Sequence, residues 1–278
     1  MNARSGRWRW TLLLIAVAML AGLGLPGEAR GRVGAPPAAL KLDPFYQKYL
    51  SAGGLPIVGS ARVRDEALVV ARRLVLRMTR KRPDVLAELV RKGVRVAIMA
   101  QCEVTVDIPE HRDLYAAFPG TDWNARARGL GATEARPACA GAEENLLGLP
   151  GDPYRGESIL MHEFAHTMRM MGLRTLDPKL DQAITAAYAA AKKDGLWKRT
   201  YAATNSDEYW AEGVQDWFDA NTEAIPANGV HNTVNTRAEL QAYDSRLARL
   251  IARVFDEGRW RYRYPRRNAS KRDFHRSG

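Results

Sequence analysis

The spacing of apolar positions divides the chain into several helices, a few strands and one long irregular stretch. Residues 64–80 carry Ala67, Val70, Ala71, Leu74 and Val75 at helical spacing, and 83–92 read as a second, shorter helix. Residues 44–52 read as a helix at the start of the domain. The β-branched run 94–99 predicts a strand, and 103–108 predicts another. From 111 to 151 turn signals dominate, and the pattern predicts a long loop of the kind that shapes a cleft. An Ala-rich helix is expected over 176–194 and a last long one over 236–256, with Leu240, Leu247, Leu250, Ile251 and Val254 on its apolar face. There are no internal repeats. The pattern as a whole predicts a single α+β domain, predominantly helical.

One helix is apolar nearly all round. Between Ser158 and Met171 stand Ile159, Leu160, Met161, Phe164, Ala165, Met168, Met170 and Met171, which marks a buried helix. Inside it lies His162-Glu163-Phe164-Ala165-His166, an H-E-x-x-H motif. Two histidines four residues apart share one helix face, so both imidazoles can reach one metal ion with Glu163 beside its open position. Two His and a Glu are costly in a buried helix unless something pairs them, and a metal ion does so. The plainer reading is a pair of core histidines bonded to backbone, with Glu163 as an i,i+3 partner. Arg169 and Gly172 stand where a metzincin would have its Gly and its third His, which excludes that class. Gly172 reads instead as the helix stop.

The third ligand must then come from another segment, and residues 205–218 predict a suitable helix. Trp210, Val214, Trp217 and Phe218 form its apolar stripe, while Glu208, Glu212 and Asp219 line another side. Glu208 is read as the ligand and Glu212 as the carboxylate that orients a ligating histidine. The plainer readings are a capping box between Asn205 and Glu208, and an ordinary solvated Glu212.

The pair H-E-F-A-H and N-S-D-E-Y-W-A-E resembles the gluzincin peptidases, and within them the catalytic domain of anthrax lethal factor and its bacterial relatives. The resemblance covers roughly residues 150–220. It implies a single zincin (gluzincin) domain with a small sheet over the H-E-x-x-H helix, whose edge strand pairs with an extended peptide substrate. It implies one Zn2+ held by His162, His166 and Glu208, with Glu163 as general base. It also implies Tyr201, seven residues before Glu208, as the phenol that steadies the oxyanion; His231 is a rival for that role. The family's toxin-delivery domains have no counterpart in 278 residues.

The termini add location and charge. Arg4, Arg7 and Arg9 precede an apolar run from Thr11 to Leu25, and Gly27-Glu28-Ala29 suits cleavage, so residues 1–29 read as a secretory signal peptide. The run is about 15 residues, short of the ~20 that span a bilayer, although an uncleaved anchor is the alternative. A Gly/Pro/Ala linker is expected over 30–41, the peptidase domain over 42–264 and a basic, disordered tail over 265–278. Cys102 and Cys139, the only cysteines, are expected to form a disulfide in an oxidising compartment. Much of the net charge of +11 sits at the two ends, which leaves about +3 for the body and no specific nucleic-acid partner. The tail could associate weakly with an anionic surface; in the plainer reading Trp260 and Tyr262 pack a final strand onto the body.

The expected protein is thus a secreted or periplasmic zinc peptidase, a monomer acting on a peptide or protein. The alternatives are a non-catalytic zinc-binding or cell-surface-binding protein, or a cell-wall peptide amidase. An intact Glu163 favours catalysis, because a structural zinc fills its fourth position with protein.

Overall fold

Two five-residue apolar runs, Lys48–Ala52 (β1) and Leu55–Gly59 (β2), are joined by Gly53-Gly54, both with positive φ (59° and 92°). Such a turn closes a two-residue hairpin, and β1 and β2 pair antiparallel across it. The expected helix over 44–52 is therefore a strand. The computed structural model describes residues 31–265; the signal peptide expected over 1–29 and nearly all of the tail expected over 265–278 lie outside the described residues.

After β2 the chain forms α1 (Asp65–Thr79) and α2 (Pro83–Arg91), then returns as β3 (Arg95–Met99), parallel to β2. Ala67, Leu68, Ala71, Leu74, Val75 and Met78 form the buried stripe of α1, close to the spacing read from the sequence. Short helices α3 (Leu114–Ala117) and α4 (Trp123–Arg126) lead to β4 (Gly129–Leu130) and β5 (Ala138–Ala142). The sheet order is β1-β2-β3-β5-β4, with β5 parallel to β3 and β4 antiparallel at the edge. Then follow α5 (Glu143–Leu147), α6 (Ile159–Thr167), a π-helical turn at Met168–Leu173, and α7 (Arg174–Leu176). The chain ends in α8 (Pro178–Lys193), α9 (Ser206–Trp217), α10 (Arg237–Tyr243) and α11 (Ser245–Val254). The result is the single α+β fold, one small sheet among many helices. One sheet face joins the helices in the main core, and the other buries Val58, Ala97, Met99, Ala138, Ala140 and Ala142 with Tyr46 and Ile108.

Several expectations change for identifiable reasons. Residues 103–108 form no strand: the Glu103 carboxylate accepts from Ser60 Oγ (2.6 Å) and Ala100 N (2.8 Å), and Asp107 accepts from Val104 N (2.9 Å). Such local side-chain bonds compete with a ladder. The loop expected over 111–151 contains β4 and β5, hidden because Ala138-Cys139-Ala140-Gly141-Ala142 has no β-branched residue; its small side chains suit a strand flanked by β3 and β4 and packed against Leu160 of α6. The helix over 236–256 breaks at Asp244, whose carboxylate caps the next helix at Leu247 N. Within the expected linker, Gly34 exchanges two backbone hydrogen bonds with Tyr49 (3.1 and 2.8 Å). Trp260 and Tyr262 do pack onto the core, but through an irregular segment and not a strand.

The expected disulfide is absent: both thiols are free, Cys102 exposed and Cys139 buried. Cys139 pairs with Val96, and Cys102 lies beyond Met99, so roughly 10 Å of strand and a turn separate them, more than the ~7 Å between Cα atoms that a disulfide tolerates.

Gly172 does not stop its helix, which runs on through the π-helical turn into α7. A Cβ there would stand 2.7 Å from Val85 Cγ1, so the glycine permits the close approach of α2. Gly172→Val should lower the unfolding free energy by roughly 2–3 kcal/mol, the cost of overpacking a tight contact. Urea denaturation measures this, and an unchanged midpoint would contradict the contact.

Candidate metal centre

The positions of α6 and α9 follow from what satisfies their free ends. The α6 N-terminus is capped from outside, with Ser158 N donating to Ala220 O (2.9 Å) and Ile159 N donating to Asn145 Oδ1 (3.0 Å). At the start of α9, Asn205 Oδ1 accepts from Asp207 N (2.8 Å) and Glu208 N (2.9 Å). Asn205 is thus a cap, but Glu208 does not return to it as a capping box would, and its carboxylate turns toward α6. Trp210, fully buried on α9, donates its indole N–H to Ala165 O of α6 (3.2 Å). The buried Arg169 guanidinium bonds Asp181 (2.7 Å), Thr185 (3.0 Å) and the Ser206 carbonyl, tying the π-helical turn to α8 and to the first turn of α9.

Between these helices His162 Nε2, His166 Nε2 and Glu208 Oε2 converge, each 3.0 Å from the other two. Ligands at the corners of a tetrahedron about 2.0–2.1 Å from zinc stand about 3.3 Å apart, so the spacing fits. Both histidines are buried, 7% and 8% exposed. His162 Nδ1 lies 2.8 Å from Gln215 Oε1, an acceptor, so Nδ1 is the donor of that bond and Nε2, on the other side of the ring, is the atom left for a metal ion to take in place of a proton. Two imidazole nitrogens and a carboxylate oxygen aimed at one point are a donor set that a cation satisfies. His162, His166 and Glu208 can hold a metal ion.

The electrostatics agree. Burial disfavours charge on His162, but hydrogen bonds to Glu208 and Glu212 and the charge of Glu163 hold its pKa well above the usual range. Burial also acts to raise Glu208, yet its bonds to the two histidines take it far below the ordinary carboxylate value. For Glu163 burial wins and the pKa rises, against the opposing pull of both histidines and a hydrogen bond from the Gly131 amide. The Gly131 contact comes from the edge strand. A Cβ on Gly129 would stand 2.6 Å from Ile159 Cγ2 and 2.9 Å from Glu163 Cγ, and one on Gly131 2.8 Å from His166 Cβ. These glycines let β4 and the residue after it lie directly on the face of α6 that carries Glu163. Thr167 Oγ1 adds a link, donating to Glu163 O (2.9 Å) and accepting from Ala132 N (2.9 Å).

The remaining candidates lie close by. Tyr201 donates its hydroxyl to Glu208 Oε1 (3.2 Å), and its ring stacks on His162 with centroids 6.1 Å apart. Glu212 Oε1 is 3.4 Å from His162 Nδ1, and Glu212 Oε2 accepts from Asn221 Nδ2 (3.1 Å). His231 sits 3.8 Å from Glu157, and burial lowers its pKa. Its neighbour Val230 accepts from Tyr201 N (2.8 Å), which places the loop 224–232 beside the centre. Sequence reasoning missed Gln215, although its place seven residues after Glu208 on the same helix was a usable signal. It also missed Gly129 and Gly131, which the loop assignment concealed.

The chain matches no protein-family model, and no curated protein matches it. Among solved structures it is similar to the Pro-Pro endopeptidase PPEP-2 from Paenibacillus alvei, at 16% identity over 74% of this chain and 100% of that one, with a TM-score of 0.38. An overlap that low leaves the chemistry to the site's own atoms.

Beside this centre, burial and the negative charge of Glu212 push the Glu157 carboxyl up to about 7 from an ordinary 4.5. A raised carboxyl holds its proton more tightly in the folded state, so metal-free stability falls as pH rises from 4.5 toward 7. Glu157→Gln should flatten that slope and gain stability relative to the parent at pH 8 more than at pH 5. Urea midpoints across this range check it, and identical slopes would contradict it.

Proposed function

We propose that this protein is a zinc-dependent peptidase of the gluzincin type, exported through its N-terminal signal and acting as a monomer on peptides or proteins. The convergence of His162 Nε2, His166 Nε2 and Glu208 Oε2, 3.0 Å apart on two packed helices with Glu163 beside them, carries this reading. The residues present fit zinc in type, number and spacing. When bound, zinc supplies a Lewis acid that polarises a carbonyl and brings the pKa of water toward neutrality.

The chain's own residues do the rest. Glu163 takes the proton of the attacking water and passes it to the leaving amine nitrogen; its raised pKa brings it nearer the operating pH, as a residue that both accepts and returns a proton requires. The Gly131 amide holds that carboxylate in place. Tyr201, close enough to touch Glu208, is the donor we assign to the oxyanion, a role worth on the order of 3 kcal/mol. β4 lies at the sheet edge on α6, so its outer backbone groups can pair with an extended substrate. Among the described residues no helix is long and apolar enough to cross a membrane.

Glu163→Gln should keep its metal and lower kcat by 10²–10⁴-fold, the usual worth of a general base. A fluorogenic peptide library assayed with parent and variant measures this. Parent-level turnover in the variant would overturn the mechanism.

A further inference from the structure

His162 Nδ1 carries one proton and faces two acceptors. Gln215 Oε1 is 2.8 Å away and Glu212 Oε1 is 3.4 Å away. Either could orient a metal-bound histidine, but with different chemistry: a carboxylate makes the ring more electron-rich, and a neutral amide does so far less.

The surroundings decide between them. Gln215 is fully buried, and its Nε2 points at two backbone carbonyls, Ser158 O (3.3 Å) and Ala220 O (3.4 Å). A flipped amide would set its oxygen against both carbonyls and its NH2 against the Nδ1 proton, so the orientation is locked with oxygen toward His162. Ser158 and Ala220 are themselves joined (Ser158 N to Ala220 O, 2.9 Å), so the clamp fixes the start of α6 to the end of α9. The Glu157 carboxyl also bonds the amide. Glu212 is committed elsewhere: its second oxygen takes Asn221 Nδ2 (3.1 Å), and the same nitrogen bonds Asp216 Oδ1 (3.0 Å), leaving a carboxyl pair bridged by one amide.

We infer that Gln215, and not Glu212, is the positioning residue that holds His162 ready for zinc, a locked neutral amide that accepts from Nδ1 and so turns Nε2 toward the metal position. The inference rests on the reading of His162 as a zinc ligand. Within it, Glu212 supports the Asn221–Asp216 network and touches the ligand only secondarily.

The test compares zinc dissociation constants, by competition with a chromophoric chelator, for the parent, Gln215→Met and Glu212→Gln, with circular dichroism as the fold control. Gln215→Met should weaken zinc 10–100-fold, the range for loss of a ligand's supporting contact, and Glu212→Gln less than threefold. Parent-like affinity in Gln215→Met, or a tenfold loss in Glu212→Gln, would overturn the assignment. Nitrogen-15 NMR of the zinc-loaded parent gives a readout that needs no variant to fold: His162 bound through Nε2 with a proton at Nδ1 is expected, and coordination through Nδ1 would refute it. His162→Ala separates the two claims, because unchanged zinc affinity there would remove the site itself and not merely the role of Gln215.

Discussion

The structure turns on one constraint: three polar atoms of His162, His166 and Glu208 are brought to a single, largely buried point, each 3.0 Å from the other two. Burying such groups is costly unless a charge of opposite sign joins them. The neighbouring contacts are arranged to keep the three atoms together, and they differ in kind from ordinary core packing. Trp210 pins α9 to a carbonyl of α6, Arg169 ties the following turn to the N-terminus of α9, and Asn205 aims the first turn that carries Glu208. Remove any one and the ligand atoms lose their common focus.

The sheet serves the same centre from the other side. Its parallel strands β2, β3 and β5 form a base, and the two-residue strand β4 adds an edge that glycines allow to lie on α6. That contact supplies the Gly131 amide to Glu163 and leaves the strand's outer groups beside the centre. A bulkier residue at either glycine would lift the edge from the helix. The proposed substrate path along this edge would therefore depend on side chains that are missing and not on any that are present.

Legibility in the sequence followed the range of the forces involved. The helices with a strong 3.6-residue stripe, α1 and α8, were readable because burial of one face is encoded locally, and α9 was readable too although Tyr209 to Trp217 are all buried. The H-E-x-x-H pair was readable because four residues of helix fix its geometry, and Glu208 because its helix had to supply a ligand. The strands failed where the signal was tertiary: β5 is built from Ala, Cys and Gly and owes its conformation to β3 and β4, and residues 48–52 are a strand because of the Gly-Gly turn and the partner beyond it. Gly172 misled because a glycine that permits a close approach looks, in sequence, like one that ends a helix. The disulfide was inferred from compartment alone, and the register of β5 against β3 forbids it. Gln215 shares a helix with Glu208 seven residues on, but nothing in a sequence shows which way an amide will be clamped.

The central claim is that α6 and α9 together make a zinc site. Its most direct measurement is the metal content, by plasma mass spectrometry, of purified residues 30–278 and of the Glu208→Ala variant, each shown to be folded. The account predicts one tightly held zinc per chain in the parent and little in the variant. A parent that binds no zinc, or a variant that retains it equally well, would contradict the account.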